Sequence, residues 1–434
     1  MIIKTNNINL KIQEKNKLNL DYNKEFTHEI KKNDVLKISP TSGSIANLNR
    51  RGDIVFQSLQ TSNPIDICNA KLYYKIELEI EANKDITLEN NFFPNLFSNM
   101  RLKLGSSEIE TVLHPGVYST MLNFILTGCD YKNEYGELTG WIPDVNKGDL
   151  DKDGLDINYA YYKRAELYKS KKFEGYFELK HLFGFLQNYN RVLHNVFIEL
   201  ICNRLEGDKR LFYGAADTKA KLKLSTLELH IPEWTLNPHS EIKLLERLNS
   251  NKSINVNYLN RICSEFSMTE GSTYSIKVAN LAYRPRYILI GFKETDPSFQ
   301  KNNNLFIQKI GDDNLKTIQI QLNSSYYPIN RMEFNIENNE NIFPYLNYIE
   351  TCYDFKVEPQ LSLEDFKNLY SIFCINVSDQ DDRLAINNVD VTLHITKDSN
   401  FKAKVYTLIL EEKKIEMKLY GGKISIIENV RGDS

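Results

Sequence analysis

The 434 residues are 41% hydrophobic and 26% charged, and 54 Lys and Arg against 57 Asp and Glu leave a formal net charge of −3. That balance describes an ordinary folded chain and gives no global pull toward nucleic acid or an anionic membrane. No apolar run nears the roughly 20 residues of a transmembrane helix, Met1–Asn6 carries no hydrophobic signal core, and the length calls for two or more domains.

The chain opens on a polar stretch. From Met1 to Lys37 eight lysines face five acidic residues, and Ile8, Leu10 and Ile12 give only one weak strand pattern. Residues 1–44 read as an N-terminal arm, either docked on a neighbour or facing a polyanion, or else as a solvated tail. Leu72, Tyr74, Ile76, Leu78 and Ile80 then alternate with polar residues, the period of two that buries one face of a strand. His114-Pro115-Gly116-Val117-Tyr118 through Leu126 reads as a helix led by proline, and a polar stretch, 128–171, follows it. Phe177 to Phe185 reads as a short helical run and an apolar strand, and Asn195-Val196-Phe197-Ile198-Glu199-Leu200 as the next strand. Between Leu222 and Ile231 the alternation slips at Ser225-Thr226, predicting a bulge. Asn237 caps and Pro238 starts a helix through Ile242, Leu245 and Leu248, near the midpoint of the chain.

The second half offers the same landmarks. Tyr287 to Phe292 is apolar on both faces, as a strand between layers would be, and Ile318 to Leu322 alternates. Phe343-Pro344-Tyr345-Leu346 through Tyr353 is a second proline-led aromatic helix, followed by Leu363 to Cys374 and the strand Asn388-Val389-Asp390-Val391-Thr392-Leu393. Ile415 to Leu419 alternates again. The spacing from proline to asparagine is 195 − 115 = 80 in the first half and 388 − 344 = 44 in the second. The extra 36 residues fit an insertion within 128–171, expected at an outer surface or intersubunit contact rather than in either core. Many short strands, two repeats and few helices predict an all-β chain of two tandem jelly rolls. The expected division is a first roll at 45–235, a second at 236–428 and a tail at 429–434. Met121, Leu122 and Ile125, and their counterparts Leu346 and Ile349, lie at helical spacings that predict packing against their own rolls.

Chemistry-bearing patterns are weak. Asp149-Leu150-Asp151-Lys152-Asp153-Gly154-Leu155-Asp156 matches the start of a calcium loop, but its twelfth position is Ala160, where a bidentate carboxylate belongs. The reading is an exposed acidic loop. Arg-Gly-Asp occurs at Arg51-Gly52-Asp53 and at Arg431-Gly432-Asp433, and a three-residue match assigns no receptor role. The seven histidines show no metal-ligand spacing, and no nucleophile elbow or phosphate loop is present. Six dispersed cysteines with no Cys-x-x-Cys read as reduced core residues of a soluble protein made in a reducing compartment. The expectation is no enzyme, no catalytic residue, no cofactor and no metal. Aromatic clusters such as Tyr159-Ala160-Tyr161-Tyr162 and Tyr345-Leu346-Asn347-Tyr348 lack basic stripes, which favours protein interfaces over base stacking.

Four segments carry a resemblance. Gly175 to Phe185 (GYFELKHLFGF), Arg284 to Phe292 (RPRYILIGF), Leu322 to Pro328 (LNSSYYP) and Leu363 to Tyr370 (LEDFKNLY) keep their order along the chain. They resemble the double-jelly-roll major capsid proteins of Polinton-type and adintovirus-like elements, relatives of virophage and adenovirus hexon proteins, over roughly residues 45 to 428. The resemblance implies a homotrimer whose six rolls form a pseudo-hexagonal capsomer. It also implies neighbouring capsomers and penton or minor capsid proteins as partners, with no specific nucleic-acid site. The place would be the virion, after synthesis in the host cytoplasm or nucleus. The shorter length leaves a minor or host-domesticated capsid role open, and a sugar- or peptide-binding β-sandwich is the rival from another class.

Overall fold

The computed structural model describes residues 30–41, 45–58, 62–81, 86–145, 157–214, 219–250, 252–294, 306, 314–333, 342–380, 388–420 and 423–428. The first half contains strands β1 (Ile30–Ile38), β2 (Gly52–Gln57), β3 (Lys71–Ile80), β4 (Ile86–Leu88), β5 (Phe97–Leu104), β6 (Ser107–Leu113), β7 (Lys172–Glu178), β8 (Ile198–Arg204), β9 (Phe212–Gly214) and β10 (Ala220–Leu236). The second contains β11 (Ser253–Met268), β12 (Thr273–Leu281), β13 (Pro285–Glu294), β14 (Leu315–Leu322), β15 (Ser325–Glu333), β16 (Phe373–Asn376), β17 (Val389–Lys397), β18 (Ala403–Tyr420) and β19 (Lys423–Glu428). Helices lie between them: α1 (Ile45–Leu48), α2 (Pro115–Leu126), α3 (Cys129–Glu134), α4 (Gly136–Thr139), α5 (Tyr159–Leu167), α6 (Gly184–Asn188), α7 (Pro238–Leu248), α8 (Ile342–Asp354) and α9 (Leu363–Asn368).

The halves repeat one topology. The first builds sheets β1-β10-β3-β7 and β2-β8-β5-β6; the second builds β11-β18-β13-β16, with β19 beside β18, and β12-β17-β14-β15. With the short β4–β9 pair set aside, each half puts its first, eighth, third and sixth strands in one sheet. The other sheet takes the second, seventh, fourth and fifth. This is the jelly-roll order, twice. Both proline-led helices, α2 and α8, join the fifth strand of their roll to the sixth. The hairpins β5–β6 and β14–β15 turn at Gly105 (φ 64°) and Asn323 (φ 51°), residue types that tolerate the positive φ a two-residue turn needs.

Local sequence explains much of this. Leu72, Tyr74, Ile76 and Leu78 are buried while Lys75 is exposed, so the alternation in β3 is a core face against a solvent face. The ladder between β10 and β3 shifts register between Leu224 and Thr226, at the Ser225-Thr226 slip. Asn237 accepts a hydrogen bond from the Ser240 amide at 2.9 Å and caps α7. All six cysteines are free thiols.

Several expectations are corrected. Residues 30–38, read as arm, form β1, an edge strand paired to β10. Phe177–Phe185 is not helix followed by strand: it holds the end of β7, a short turn at Leu179–His181 and the start of α6. The described parts of the 128–171 insertion enter the core, with Trp141, Ile142, Asp144, Tyr161, Arg164 and Tyr168 buried. Asp149–Asp156 and the tail with Arg431-Gly432-Asp433 lie outside the described residues. Leu346 is 42% exposed, because α8 buries the arc of Pro344, Tyr348, Thr351 and Cys352 instead. The rolls are not self-contained either, since Met121, Leu122 and Phe124 share one apolar core with Tyr348, Cys352, Phe366 and Tyr370. A separate core fills the second roll around Ile290, Ile318, Leu393 and Val405.

Burial separates the two helices experimentally. Leu122 is 1% exposed, so Leu122→Ala should cost about 2–5 kcal/mol in chemical denaturation. Measured on the single, unassociated chain, Leu346→Ala should stay within about 0.5 kcal/mol of the parent, as exposed substitutions do. Equal losses at both positions would show that α8 buries Leu346.

Candidate functional site

The functional feature of this chain is a surface built by its own repeat. Helix α2 is apolar nearly all round, and the side chains from Pro115 to Ile125 are all buried, the signature of a helix enclosed on every side. One side belongs to the first roll and the other meets the second. The Tyr118 hydroxyl donates to the Ser264 carbonyl on β11 at 2.7 Å, and His114 Nδ1 lies 3.5 Å from Glu265 Oε2. The His114 and Tyr406 rings meet edge to face at 5.7 Å. At the far end of α2 the Phe124 carbonyl accepts from the Tyr348 hydroxyl of α8 at 3.1 Å, and the Phe124 ring lies 4.5 Å from Tyr370. Gln360 donates to the Asn123 carbonyl at 3.1 Å and to the Thr127 hydroxyl at 2.8 Å.

Next to α2 the seam has a different device. Strand β11 is an edge of its sheet, and unpaired edge amides invite unwanted pairing unless covered. Here first-roll side chains cover them. The Asn188 amide oxygen accepts from the Leu259 N–H at 3.1 Å, and Glu110 accepts from the Arg261 N–H at 3.3 Å. Glu110 also accepts from the Gly184 and Phe185 amides at 3.0 and 2.9 Å, so one carboxylate ties α6 to the neighbouring roll. Position 184 must be glycine, because a Cβ there would stand 1.8 Å from the Leu259 carbonyl oxygen. Burial holds the Glu110 carboxyl above its usual range despite the pull of Arg261. Burial likewise draws the Arg261 guanidinium down to about 10, with Glu110 opposing. Arg261 donates to the Gln187 side-chain oxygen at 2.6 Å.

The insertion reinforces the same seam. Arg164 and Asp144 form a fully buried ion pair at 2.7 Å, and Arg164 also donates to the carbonyls of Leu88 and Ile142. Burial alone would depress this guanidinium, yet Asp144 reverses the effect and leaves it above its ordinary value. The Asp144 amide donates to the Tyr370 hydroxyl of the second roll at 3.0 Å, and the Trp141 indole to Gln360 at 3.2 Å.

Helix α8 occupies in the second roll the place that α2 holds in the first, but its outward face has no partner among the described residues. Aligning Pro115 with Pro344 sets Val117 against Leu346 and Phe124 against Tyr353; the first-roll residues are buried and the second-roll residues exposed. Phe343 is 65% exposed, and Ile329 on the edge strand β15 is 87% exposed. Between α8 and β15 runs a groove of about 1340 Å³ lined by Tyr326, Ile329, Met332, Ile342, Phe343 and Asn347. A smaller cleft beside it shares Pro328 and Asn347 and adds Glu350 and Asp354. Sequence reading gave Leu346 two places, packed on its own roll by helical spacing and in the Tyr345–Tyr348 cluster favoured as an interface, and it passed over Ile329 and Ile342.

The structure brings together no reactive constellation among the described residues, where no group of three or more metal-ligating side chains is found. Asp53 of Arg51-Gly52-Asp53 is already engaged, accepting from Asn203 at 2.7 Å and lying 3.6 Å from Arg101.

Two outcomes follow from the buried polar groups. Asp144→Asn should destabilise by about 3–5 kcal/mol, since it leaves the Arg164 charge buried without its counter-ion; a loss under about 1 kcal/mol would place the pair in water. His181 is buried, and desolvation drives it from 6.5 down to about 4 despite Glu178 nearby. Its folded-state value lies below its unfolded one, so its neutral form is fully favourable above about pH 6.5, and stability declines as pH falls from there toward 4. Denaturation midpoints across that window should fall less steeply for His181→Asn than for the parent, and parallel curves would contradict the assignment.

The comparisons with known proteins agree with this geometry. No curated protein is significantly similar to the chain in sequence. Among solved structures, the Sputnik virophage determined by cryo-EM matches with a TM-score of 0.63 and 11% identity, covering 96% of this chain and 92% of that one. The PBCV-1 virus capsid matches with a TM-score of 0.57 at 9% identity over 94% of this chain and 100% of that one. The mavirus major capsid protein matches with 0.53 at 10% identity, over 94% and 92%. A family model described as the double jelly roll-like domain matches residues 86–415. With two rolls of identical strand order joined along a buried seam, the chain belongs to the double jelly roll-like domain family.

Proposed function

We propose that the chain is a structural capsid subunit that assembles by repeating its internal seam between copies. The observation that carries this is the contrast between α2, enclosed by the second roll, and α8, equivalent in topology but open along Ile342, Phe343 and Leu346. In the chain, the fifth strand and proline-led helix of one roll receive the first strand of the next. The same contact made by the second roll would receive β1 of another copy. That strand is an edge, it exposes Val35, and its exposed Lys31, Lys32 and Lys37 complement Glu350 and Asp354 beside the groove.

A head-to-tail contact of this kind generates a ring when its rotation closes. Three copies then present six similar rolls, a pseudo-hexagonal unit able to tile an icosahedral-type shell with neighbouring capsomers and other capsid proteins, in the virion. The likeness in fold to the Sputnik, mavirus and PBCV-1 capsid structures supports this reading, as does the Polinton-type resemblance of four ordered segments. No step in it needs a catalyst or a cofactor.

Light scattering of the purified protein at micromolar concentration should give the mass of a trimer. Phe343→Asp with Leu346→Asp should give a folded monomer that still unfolds cooperatively, at a lower temperature than the trimer by the stabilisation that association adds, because both side chains are exposed within one chain. A monomeric parent, or a variant that remains trimeric, would overturn the proposal.

A further inference from the structure

The repeat that leaves α8 and β15 open also marks a surface able to cover them. Within the chain, α2 and β6 are seated on the outward face of the sheet β11-β18-β13-β16. Alternate residues of β18 divide between the two faces of that sheet. Val405 and Ile409 join the second roll's own core, while Tyr406, Leu408 and Leu410 join the cluster that holds Met121 and Leu122. Leu289 lies on the same outward face, paired across the ladder with Leu408. The helix starts over β11, where His114 and Tyr118 meet Glu265 and Ser264, and it ends beside Tyr370, just before β16. Met121 therefore passes over the middle of the sheet, and β6 reaches the edge through the contact of Glu110 with the Arg261 amide.

The first roll has the equivalent sheet, β1-β10-β3-β7. Strands β3 and β13 are both ten residues long and align without a gap, Tyr73 on Tyr287 and Lys75 on Leu289. Their ladders then set Glu228 in the place of Leu410, the partner of Arg261. The outward face here is open. The Tyr73 and His230 rings stack on it with centroids 5.0 Å apart, Tyr176 stands opposite Tyr73, and all three are half-buried. Val35 and Pro232 extend this band to β1, and Val35 is 44% exposed. Ion pairs flank the band, Lys75 with Glu174 at 3.3 Å and Lys71 with Glu178 at 3.5 Å. An aromatic centre with a charged border suits a contact between proteins.

The open elements of the second roll carry the matching groups. The hairpins into β6 and β15 align as Leu104-Gly105-Ser106-Ser107 on Leu322-Asn323-Ser324-Ser325, each closed by a leucine–serine pair. Glu110 then matches Pro328, and the next residue is Ile329, 87% exposed. Setting Pro344 on Pro115 puts exposed Glu350 in the place of Met121. We infer that the outward face of β1-β10-β3-β7 is the seat for β15 and α8 of a second copy, with Ile329 on the Tyr73–His230 band and Glu350 facing Lys75. This rests on the head-to-tail reading above and adds to it the surface that receives the helix, so the contact continues from β1 across β10 to β3.

The charge pair supplies the test, on the full chain. Lys75→Glu and Glu350→Lys should each weaken the trimer at least about tenfold in sedimentation equilibrium, since like charges then meet, and the double variant should recover parental assembly. Circular dichroism should show all three folded, because both residues are exposed within one chain. A trimeric parent whose double variant assembles no better than the single ones would overturn the seat and leave the head-to-tail reading standing; a monomeric parent would sink both. A second measurement does not depend on charge. The photo-crosslinker p-benzoylphenylalanine, placed at Ile329 in a mixture of light and heavy-isotope chains, should attach to β3 or β10 of another chain. Attachment only to other segments, in particles that remain trimeric, would show that the helix and strand rest elsewhere.

Discussion

The structure depends on the enclosure of one helix. Every residue from Pro115 to Ile125 is buried, so α2 is stable only if both its sides are covered. The first roll covers one side, and the second roll must cover the other. This requirement turns two similar sandwiches into one body, and the rest of the seam refines it: Glu110 and Asn188 cap the edge amides of β11, and Gly184 allows the Leu259 carbonyl to approach. The insertion adds a polar tie: beside the buried Arg164–Asp144 pair, the Asp144 amide donates to the Tyr370 hydroxyl of the second roll.

The duplication also explains why the same solution is left incomplete elsewhere. Helix α8 descends from the same topological position, and its inner arc, Pro344, Tyr348, Thr351 and Cys352, packs like that of α2. Its outer arc remains apolar although nothing among the described residues covers it. A surface that keeps Phe343, Leu346 and Ile329 in water costs solubility unless a partner takes them, as large exposed apolar patches generally mark interaction sites. Polar residues, Arg331, Glu333 and Asn347 among them, line the same groove beside the apolar ones.

Much of the fold was legible in the sequence. Period-two alternation located β3, the Ser225-Thr226 slip located the register shift in β10, and the two Pro-led helices with their Asn-Val strands located the repeat. What was misread has physical causes. The polar composition of 128–171 concealed Trp141, Ile142 and Arg164, because an arginine buried with a carboxylate looks like a surface residue until its partner is known. Leu346 was misread for the opposite reason: apolar residues at helical spacing mark a face that avoids water, and the spacing does not distinguish a core from another subunit. Strand β1 was hidden by charge, since an edge strand with one solvent face carries Lys31, Lys32 and Lys37 without cost.

The central claim is that the seam inside the chain recurs between chains. A cryo-EM reconstruction of the purified assembly tests it most directly. The account predicts a closed ring of three chains in which Phe343 and Leu346 of one copy are buried against β1 of the next, in the manner of α2 against β11. A reconstruction in which the groove between α8 and β15 faces solvent, or in which chains meet through other strands, would contradict it.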